Sequence, residues 1–182
     1  MRKPLTFAGL TGVDPADQAP PGPADWSAIG HLAPVEHTLR FRVRYSETDQ
    51  MGAVYNSRPL EWFECGRSEL LRHLELPYAV MEERGLFLPV IEAHLEWFGR
   101  ARYDDLLEMT TRLSFPGRAR VRCDNEVRHA ERGRDVVRGW TLHAFANAEG
   151  RPGRPPAWFT AALTKLGVVG PGIGGTDPVK TG

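Results

Sequence analysis

The spacing of apolar and polar side chains changes period along the chain, and each change predicts an element. Over residues 37–45, Leu39, Phe41, Val43 and Tyr45 alternate with polar residues, which is typical of a β-strand with one buried face. The polar segment over residues 46–52 predicts a loop. From residue 57 to 74 apolar residues recur every three or four positions, which predicts a long helix. Its predicted buried stripe is Leu60, Phe63, Arg67, Leu70 and Leu74.

A glycine inside the predicted helix and the alternation that follows it indicate how the elements pack. Gly66 lowers helix propensity by about 1 kcal/mol relative to alanine, so it indicates a close backbone approach. A short helix over residues 77–84, ended by Gly85, then precedes alternating segments linked by short turns, of which the last is predicted over residues 136–147. A final helix is predicted over residues 158–166. Successive strands with short turns pair antiparallel, so the expected fold class is α+β, with one long helix on an antiparallel sheet.

Composition divides the chain into three parts. Residues 1–36 include a segment rich in proline, glycine and alanine, which predicts a flexible N-terminal arm. Residues 37–166 carry the periodic patterns and are predicted to form the folded domain. Residues 167–182 are rich in glycine and predict a loose C-terminal tail.

Charge and cysteine content exclude several classes of protein. The chain has 23 basic and 23 acidic residues among 182, so it lacks the overall positive charge of a nucleic-acid-binding protein. It has no apolar run long enough to span a membrane and no secretory signal. Cys65 and Cys123 form no disulfide framework or metal motif, so a cytoplasmic location is expected.

Several motifs of catalysis and metal binding are absent from the sequence. It contains no GxSxG, GxGxxG, P-loop or HExxH motif. Glu92, His94 and Glu96 would share one face of a strand and resemble a metal site. We interpret them as the solvent face of that strand, so no metal site is predicted.

The segment between the first strand and the long helix carries the strongest chemical signal. It places Asp49 in a loop before a helix, whose free N–H groups favour negative charge. The same N–H groups can polarise a carbonyl, and a carboxylate beside them is the minimum apparatus for acyl transfer. On physical grounds alone, Asp49 as a helix cap is the commoner alternative.

This segment resembles the signature of the hotdog-fold acyl-CoA thioesterases of the 4-hydroxybenzoyl-CoA thioesterase type. The matching residues are Tyr45-Ser-Glu47-Thr48-Asp49, Gly52, Val54-Tyr55 and Trp62-Phe63-Glu64. The resemblance continues through Ala101-Arg-Tyr-Asp-Asp105 and covers residues 38–156. It implies a curved antiparallel sheet wrapped around one long central helix, and homodimers or homotetramers with the acyl-CoA at the subunit interface.

The resemblance also assigns roles to individual residues. Asp49 matches the aspartate that attacks the thioester or activates water, and Asn56 matches the residue whose backbone N–H polarises the carbonyl. Many relatives have histidine in place of Asn56 and Asn-Tyr in place of Arg58-Pro59, a departure that leaves the backbone donor intact. No metal or organic cofactor is expected, because CoA enters only as part of the substrate.

A second group of residues is predicted to bind substrate, each with a plainer alternative. The group comprises Gly52, Val54, Tyr55, Trp62, Glu64, Arg100 and Arg102. The two arginines are expected to meet the CoA phosphates, although surface charge is their ordinary role. The aromatic residues are equally expected in the core, and Glu64, a fallback catalytic carboxylate, on the exposed side of the helix.

The sequence therefore predicts an acyl-CoA thioesterase that converts a thioester and water into a carboxylic acid and free CoA. The expected partner is an acyl-CoA or acyl-carrier thioester, with neither nucleic acid nor a membrane. The alternative is a hotdog module that binds acyl thioesters or a protein partner without hydrolysis, which the Asn56-Ser-Arg-Pro59 segment and the proline-rich arm motivate. A hotdog dehydratase would need a paired aspartate and histidine in its own motif, which the sequence lacks.

Overall fold

The computed structural model describes residues 35–117 and 119–168. Five strands lie among them, β1 (Val35–Arg42), β2 (Val90–Trp97), β3 (Leu106–Ser114), β4 (Arg120–His129) and β5 (Asp135–Ala144). The same residues include the helices α1 (Arg58–His73), α2 (Tyr78–Glu83) and α3 (Ala157–Lys165), and one 3₁₀ turn at Tyr45–Glu47. One strand, a long helix and four further strands follow each other, so the predicted α+β order is confirmed.

The arm predicted for residues 1–36 and the tail predicted for residues 167–182 lie mostly outside the described residues. Val35 and Glu36 already belong to β1, so the first strand begins two residues before the predicted start of the domain. Gly167 and Val168 follow α3 and donate backbone hydrogen bonds to Thr164 and Leu163.

The strands form one curved antiparallel sheet in the order β1-β3-β4-β5-β2. The first two strands of the chain are therefore its two edges, and the segment between them has to cross the sheet. That segment contains α1, which packs against β1, β3, β4 and β5. The sequence pattern predicts which faces are buried, but it does not reveal this strand order.

The predicted close approach at Gly66 is confirmed. A Cβ atom at this position would lie 2.3 Å from Thr111 Oγ1 and 2.7 Å from Met109 Cε. Both distances are shorter than any real contact, so a hydrogen at this position lets α1 lie directly on β3.

The apolar core is divided in two. One half, the site-side cluster, includes Val43, Val54, Trp62, Phe63, Ala101, Leu107, Met109, Val127, Val136 and Val137. The other half, the far cluster, includes Leu70, Leu71, Met81, Leu88, Leu113, Val121, Cys123, Phe145, Phe159 and Leu163. Buried polar residues lie between the two along the inner strand faces and α1: Arg67, Thr111, Asn125, Thr141 and His143.

Hydrogen bonds connect these polar residues, although the buried Nε of Arg67 has no partner among the described residues. Thr111 Oγ1 donates to Asn125 Oδ1 over 2.8 Å. His143 Nδ1 lies 3.0 Å from the Leu88 carbonyl oxygen, which can only accept, so Nδ1 carries the proton. His143 Nε2 then accepts, with Thr141 Oγ1 at 2.9 Å and Arg67 Nη1 at 3.3 Å. Burial and the charge of Arg67 together lower the pKa of His143 to about 4.

Two cysteines occupy opposite environments. Cys123 is fully buried in the far cluster, and this burial raises the pKa of its thiol to about 12. Cys65 lies exposed on α1, and both thiols are free.

Three expectations about side-chain burial and strand length are wrong. Tyr45 is 78% exposed because β1 ends at Arg42 and the chain then enters the 3₁₀ turn, which also occupies part of the predicted loop. Leu60 is exposed in the first turn of α1, where it lies on nearly the opposite side of the helix from the buried Trp62. The last strand ends at Ala144 rather than at residue 147.

Candidate active site

The loop after β1 is built around a buried carboxylate. Glu47 is 2% exposed, and its Oε2 accepts the backbone N–H of Arg44 over 2.7 Å. Its Oε1 accepts from Arg44 Nη2 at 2.8 Å and Nε at 3.0 Å, and from the indole Nε1 of Trp62 at 2.9 Å. These bonds connect the end of β1 to α1. Burial opposes ionisation of Glu47, but the donors outweigh it and hold the pKa of this carboxyl below its usual range.

Asp49 follows two residues later and forms a tight turn. Its backbone N–H donates to the Ala53 carbonyl and its carbonyl accepts the N–H of Gly52, both over 2.9 Å. Gly52 has a φ of +66°, the left-handed conformation that suits glycine. Asp49 Oδ1 accepts the N–H of Met51 over 2.8 Å, while Oδ2 accepts no hydrogen bond from the described residues. One oxygen thus orients the half-buried carboxylate and the other is available.

The carboxylate of Asp49 does not cap α1. Its hydrogen bond goes to Met51 within its own turn, and the N-cap residue, Ser57, makes no side-chain capping bond either. The commoner alternative for Asp49, a role as helix cap, is therefore wrong.

Two backbone donors remain unused at the start of α1. The N–H of Arg58 donates to the Tyr55 carbonyl, the N–H of Leu60 donates to the Ser57 carbonyl, and Pro59 has none. Within the described residues, the N–H groups of Asn56 and Ser57 make no hydrogen bond. They lie at the positive end of the helix dipole, where they can stabilise a developing oxyanion.

A second loop, residues 98–105, lies against the first. The N–H of Val54 donates to the Ala101 carbonyl over 2.9 Å, so Arg100 and Arg102 flank the residue that contacts Val54. Both arginines are exposed, and neither side chain forms an ion pair within the described residues. Positive charge is thus available beside the Asp49 turn.

The other predicted substrate-binding residues occupy different surroundings. Tyr55 is half exposed and donates its backbone N–H to the Glu47 carbonyl over 2.8 Å. Trp62 is buried, with its ring 5.2 Å from that of Phe41, and Val54 is buried in the same cluster. Glu64 is exposed on α1, which is the plainer position expected for it. Their contacts with substrate stay predictions.

Sequence reasoning assigned no role to Glu47. The signal was present, because an acidic residue stands three positions after an arginine and before an aromatic helix face. Only the fold reveals that Arg44 and Trp62 converge on its carboxylate.

The residues of the possible metal motif on β2 remain on the surface. His94 Nε2 lies 3.1 Å from Glu96 Oε1, and the His94 ring stacks on Trp140 at 5.8 Å. Over residues 35–117 and 119–168, no three acidic, histidine or cysteine side chains are grouped to hold a metal ion. None of the helices in the same residues is long and apolar enough to cross a membrane.

The sequence is similar to one protein family and to several named proteins. The sequence profile of the thioesterase-like superfamily matches residues 43–163. The putative acyl-CoA thioesterase YneP of Bacillus subtilis is 44% identical over 55 residues, which are 30% of this chain and 40% of YneP. The acyl-CoA thioester hydrolase YbgC of Escherichia coli O157:H7 is 38% identical over 74 residues, 40% of this chain and 54% of YbgC. The chain thus spans about half the length of these curated relatives.

Solved structures match over almost their whole length. The hypothetical protein TT1821 of Thermus thermophilus is 34% identical, with a TM-score of 0.66 over 72% of this chain and 97% of that one. The 4-hydroxybenzoyl CoA thioesterase of Pseudomonas sp. strain CBS-3 is 21% identical, with a TM-score of 0.62 over 70% of this chain and 98% of that one. This likeness confirms the predicted hotdog fold.

Proposed function

The chain belongs to the thioesterase-like superfamily, and from this membership we propose that it is an acyl-CoA thioesterase. The observation that carries the proposal is the pairing of a half-buried carboxylate with open backbone donors. Asp49 has one oxygen held and one free, and the turn that holds it leads directly to the unused N–H groups of Asn56 and Ser57.

The reaction consumes water and a thioester and yields a carboxylic acid and a free thiol. The carbonyl oxygen accepts the N–H of Asn56, which makes the carbonyl carbon more electrophilic. The Asp49 carboxylate either attacks this carbon, giving an anhydride that water cleaves, or removes a proton from the attacking water. In both routes the thiolate leaves and is protonated.

The Asn56 side chain is not required for this role. The donor is the backbone N–H, which survives the substitution of histidine by asparagine. Pro59 removes an N–H from the first turn of α1, but the donors of Asn56 and Ser57 precede it. The departures from the family pattern therefore leave the proposed oxyanion site intact.

Charge supports CoA as the carrier of the acyl group. We assign Arg100 and Arg102 to the CoA phosphates because both are exposed close to the Asp49 turn and form no ion pair with another described residue. Gly52, Val54, Tyr55, Trp62 and Glu64 are assigned to the surroundings of the acyl and pantetheine groups. No metal or organic cofactor takes part in the proposed reaction, and nucleic acid and membranes are not partners.

The proposed assembly is a homodimer or homotetramer. The edge strand β2 carries exposed Val90 and Trp97 and is followed by exposed Phe98. An open strand edge with exposed aromatic side chains favours association with a second copy of the chain. The mass in solution, measured by sedimentation velocity, is expected to be two or four times that of the chain, and a monomer contradicts this assignment.

We also assign the protein to the cytoplasm, where free thiols such as Cys65 are stable.

Free-thiol release from short, long and aromatic acyl-CoAs tests the proposed function. Wild-type protein is expected to release thiol, and Asp49→Asn is expected to lose nearly all turnover while keeping its fold, because an amide is neither a base nor a comparable nucleophile. Full hydrolysis by Asp49→Asn contradicts the assignment of Asp49.

The second candidate function is a hotdog module that binds acyl thioesters or a protein partner without hydrolysis. The Asn56-Ser-Arg-Pro59 segment favours it, since it departs from many relatives. Measurable binding of acyl-CoA by the wild type, with no thiol release from any member of the panel, would support this alternative.

A further inference from the structure

We propose that Glu47 is a positioning residue that sets the separation between the Asp49 carboxylate and the N–H of Asn56. The inference rests on the proposed function, because it concerns the two groups assigned to the reaction there. Glu47 itself is excluded as a reacting group, since it is almost fully buried and both its oxygens are occupied by donors.

Glu47 connects the segments that carry the two groups assigned to the reaction, Asp49 and the N–H of Asn56. Its side chain holds the segment just after β1 through Arg44 and the first turns of α1 through Trp62. Its backbone carbonyl accepts the N–H of Tyr55, the residue before Asn56. Asp49 follows Glu47 by two residues, so Glu47 is the point from which both reacting groups are placed.

A buried charge with four donors is a rigid anchor. Charge-assisted hydrogen bonds are shorter and stronger than neutral ones, and the guanidinium of Arg44 approaches with two nitrogens. A displacement of about 1 Å between reacting groups can lower turnover by about 100-fold. Loosening Glu47 should therefore reduce the rate of the chemical step more than the affinity for substrate.

Glu108 offers a matched control on the outer face of the sheet. This carboxylate also binds two arginines, with Arg40 Nε donating over 2.9 Å and Arg128 Nε over 3.0 Å, and these bonds lower its pKa in the same direction. Glu108 lies on β3, and its two arginine partners lie on β1 and β4. Its hydrogen bonds among the described residues include none to the Asp49 turn. Replacing Glu108 therefore measures the effect of losing a carboxylate that binds two arginines but is not connected to the proposed active site.

The experiment compares Glu47→Gln, Trp62→Phe and Glu108→Gln by steady-state kinetics on one acyl-CoA. Glu47→Gln is expected to lower kcat about 100-fold with KM changed less than threefold. Trp62→Phe, which removes one of the bonds and keeps the charge, should lower kcat by a smaller factor. Glu108→Gln should keep the wild-type kcat. Because Glu47 and Trp62 share a bond, the double variant should lose less than the product of the two single losses.

Amide hydrogen exchange gives a second readout that does not need hydrolysis. The N–H groups of Met51 and Tyr55 are bonded to Asp49 Oδ1 and to the Glu47 carbonyl. Glu47→Gln is expected to speed exchange at both positions at least tenfold, and Glu108→Gln to leave both unchanged.

The outcomes separate this inference from the proposed function. Wild-type protein that hydrolyses no acyl-CoA contradicts the proposed function, and the exchange rates then decide the role of Glu47. A folded Glu47→Gln protein with wild-type kcat or wild-type exchange at Met51 and Tyr55 overturns the inference, as does an equal loss of kcat in Glu108→Gln. If Glu47→Gln does not fold, Trp62→Phe with unchanged kcat and exchange has the same consequence.

Discussion

Substituting Gly66 by alanine tests how closely α1 lies on the sheet. The new methyl group would occupy space 2.3 Å from Thr111 Oγ1 and 2.7 Å from Met109 Cε. Met109 ends in a flexible side chain that can turn away. Thr111 is held by its bond to Asn125 and by the strand, so the helix or the hydroxyl has to move.

Three contributions decide the size of the effect. Alanine stabilises a helix interior by about 1 kcal/mol relative to glycine. Overpacking a core costs about 1–3 kcal/mol, and loss of the bond between Thr111 and Asn125 costs about a further 1 kcal/mol. The overpacking and the lost bond outweigh the gain in propensity, so Gly66→Ala should destabilise the protein by roughly 1–3 kcal/mol.

Urea unfolding measures this loss as a shift of the midpoint. With an m-value of about 2 kcal/mol per M, a loss of 2 kcal/mol lowers the midpoint by about 1 M. In a Thr111→Ala background the nearest clash is removed, so the cost of Gly66→Ala should fall by at least about 1 kcal/mol. Wild-type stability for Gly66→Ala, or an equal cost in both backgrounds, refutes the reasoning.

Two further predictions concern pH and substrate charge. His143 has an ordinary pKa of 6.5 and a folded pKa of about 4, so the unfolded chain binds its proton first as pH falls. The free energy of unfolding should therefore decrease between pH 6.5 and 4, by up to about 3 kcal/mol, and a folded His143→Gln variant that keeps the full decrease contradicts this origin. Arg100→Met and Arg102→Met should each raise KM for acyl-CoA about tenfold and leave KM for the matching acyl-pantetheine unchanged; equal effects on both substrates would remove the arginines from the phosphate site.

Local patterns predicted the elements and one packing detail but not the pairing of strands. Alternation over β2 to β5 reports which side chains share a face, and Gly66 reports a close approach. Neither contains information about which strands are neighbours, so the pairing of β2 with β5 at the edge opposite β1 had to come from the structure. The exposure of Tyr45 was missed for a related reason, because the alternation continues past the residue where β1 leaves the sheet.

In the candidate site, too, the sequence predicts what depends on neighbouring residues and misses what depends on contacts between distant ones. Asp49 was identified from neighbouring residues alone, because it lies in a loop between a strand and a helix and the motif around it is specific. The role of Glu47 depends on Arg44 and Trp62, which approach it from the end of β1 and from α1. Trp62 is 15 residues away in sequence, and no spacing rule predicts that convergence.

The rate at which the buried thiol of Cys123 is alkylated can report local opening of the far cluster. A thiol with a pKa of about 12 inside the far cluster is inert to alkylating reagents until that half of the core opens. Cys65, exposed on the same chain, reacts without opening and supplies an internal reference. The ratio of the two labelling rates therefore reads the population of the opened form, and its dependence on urea shows whether the far half opens alone or only with the whole domain.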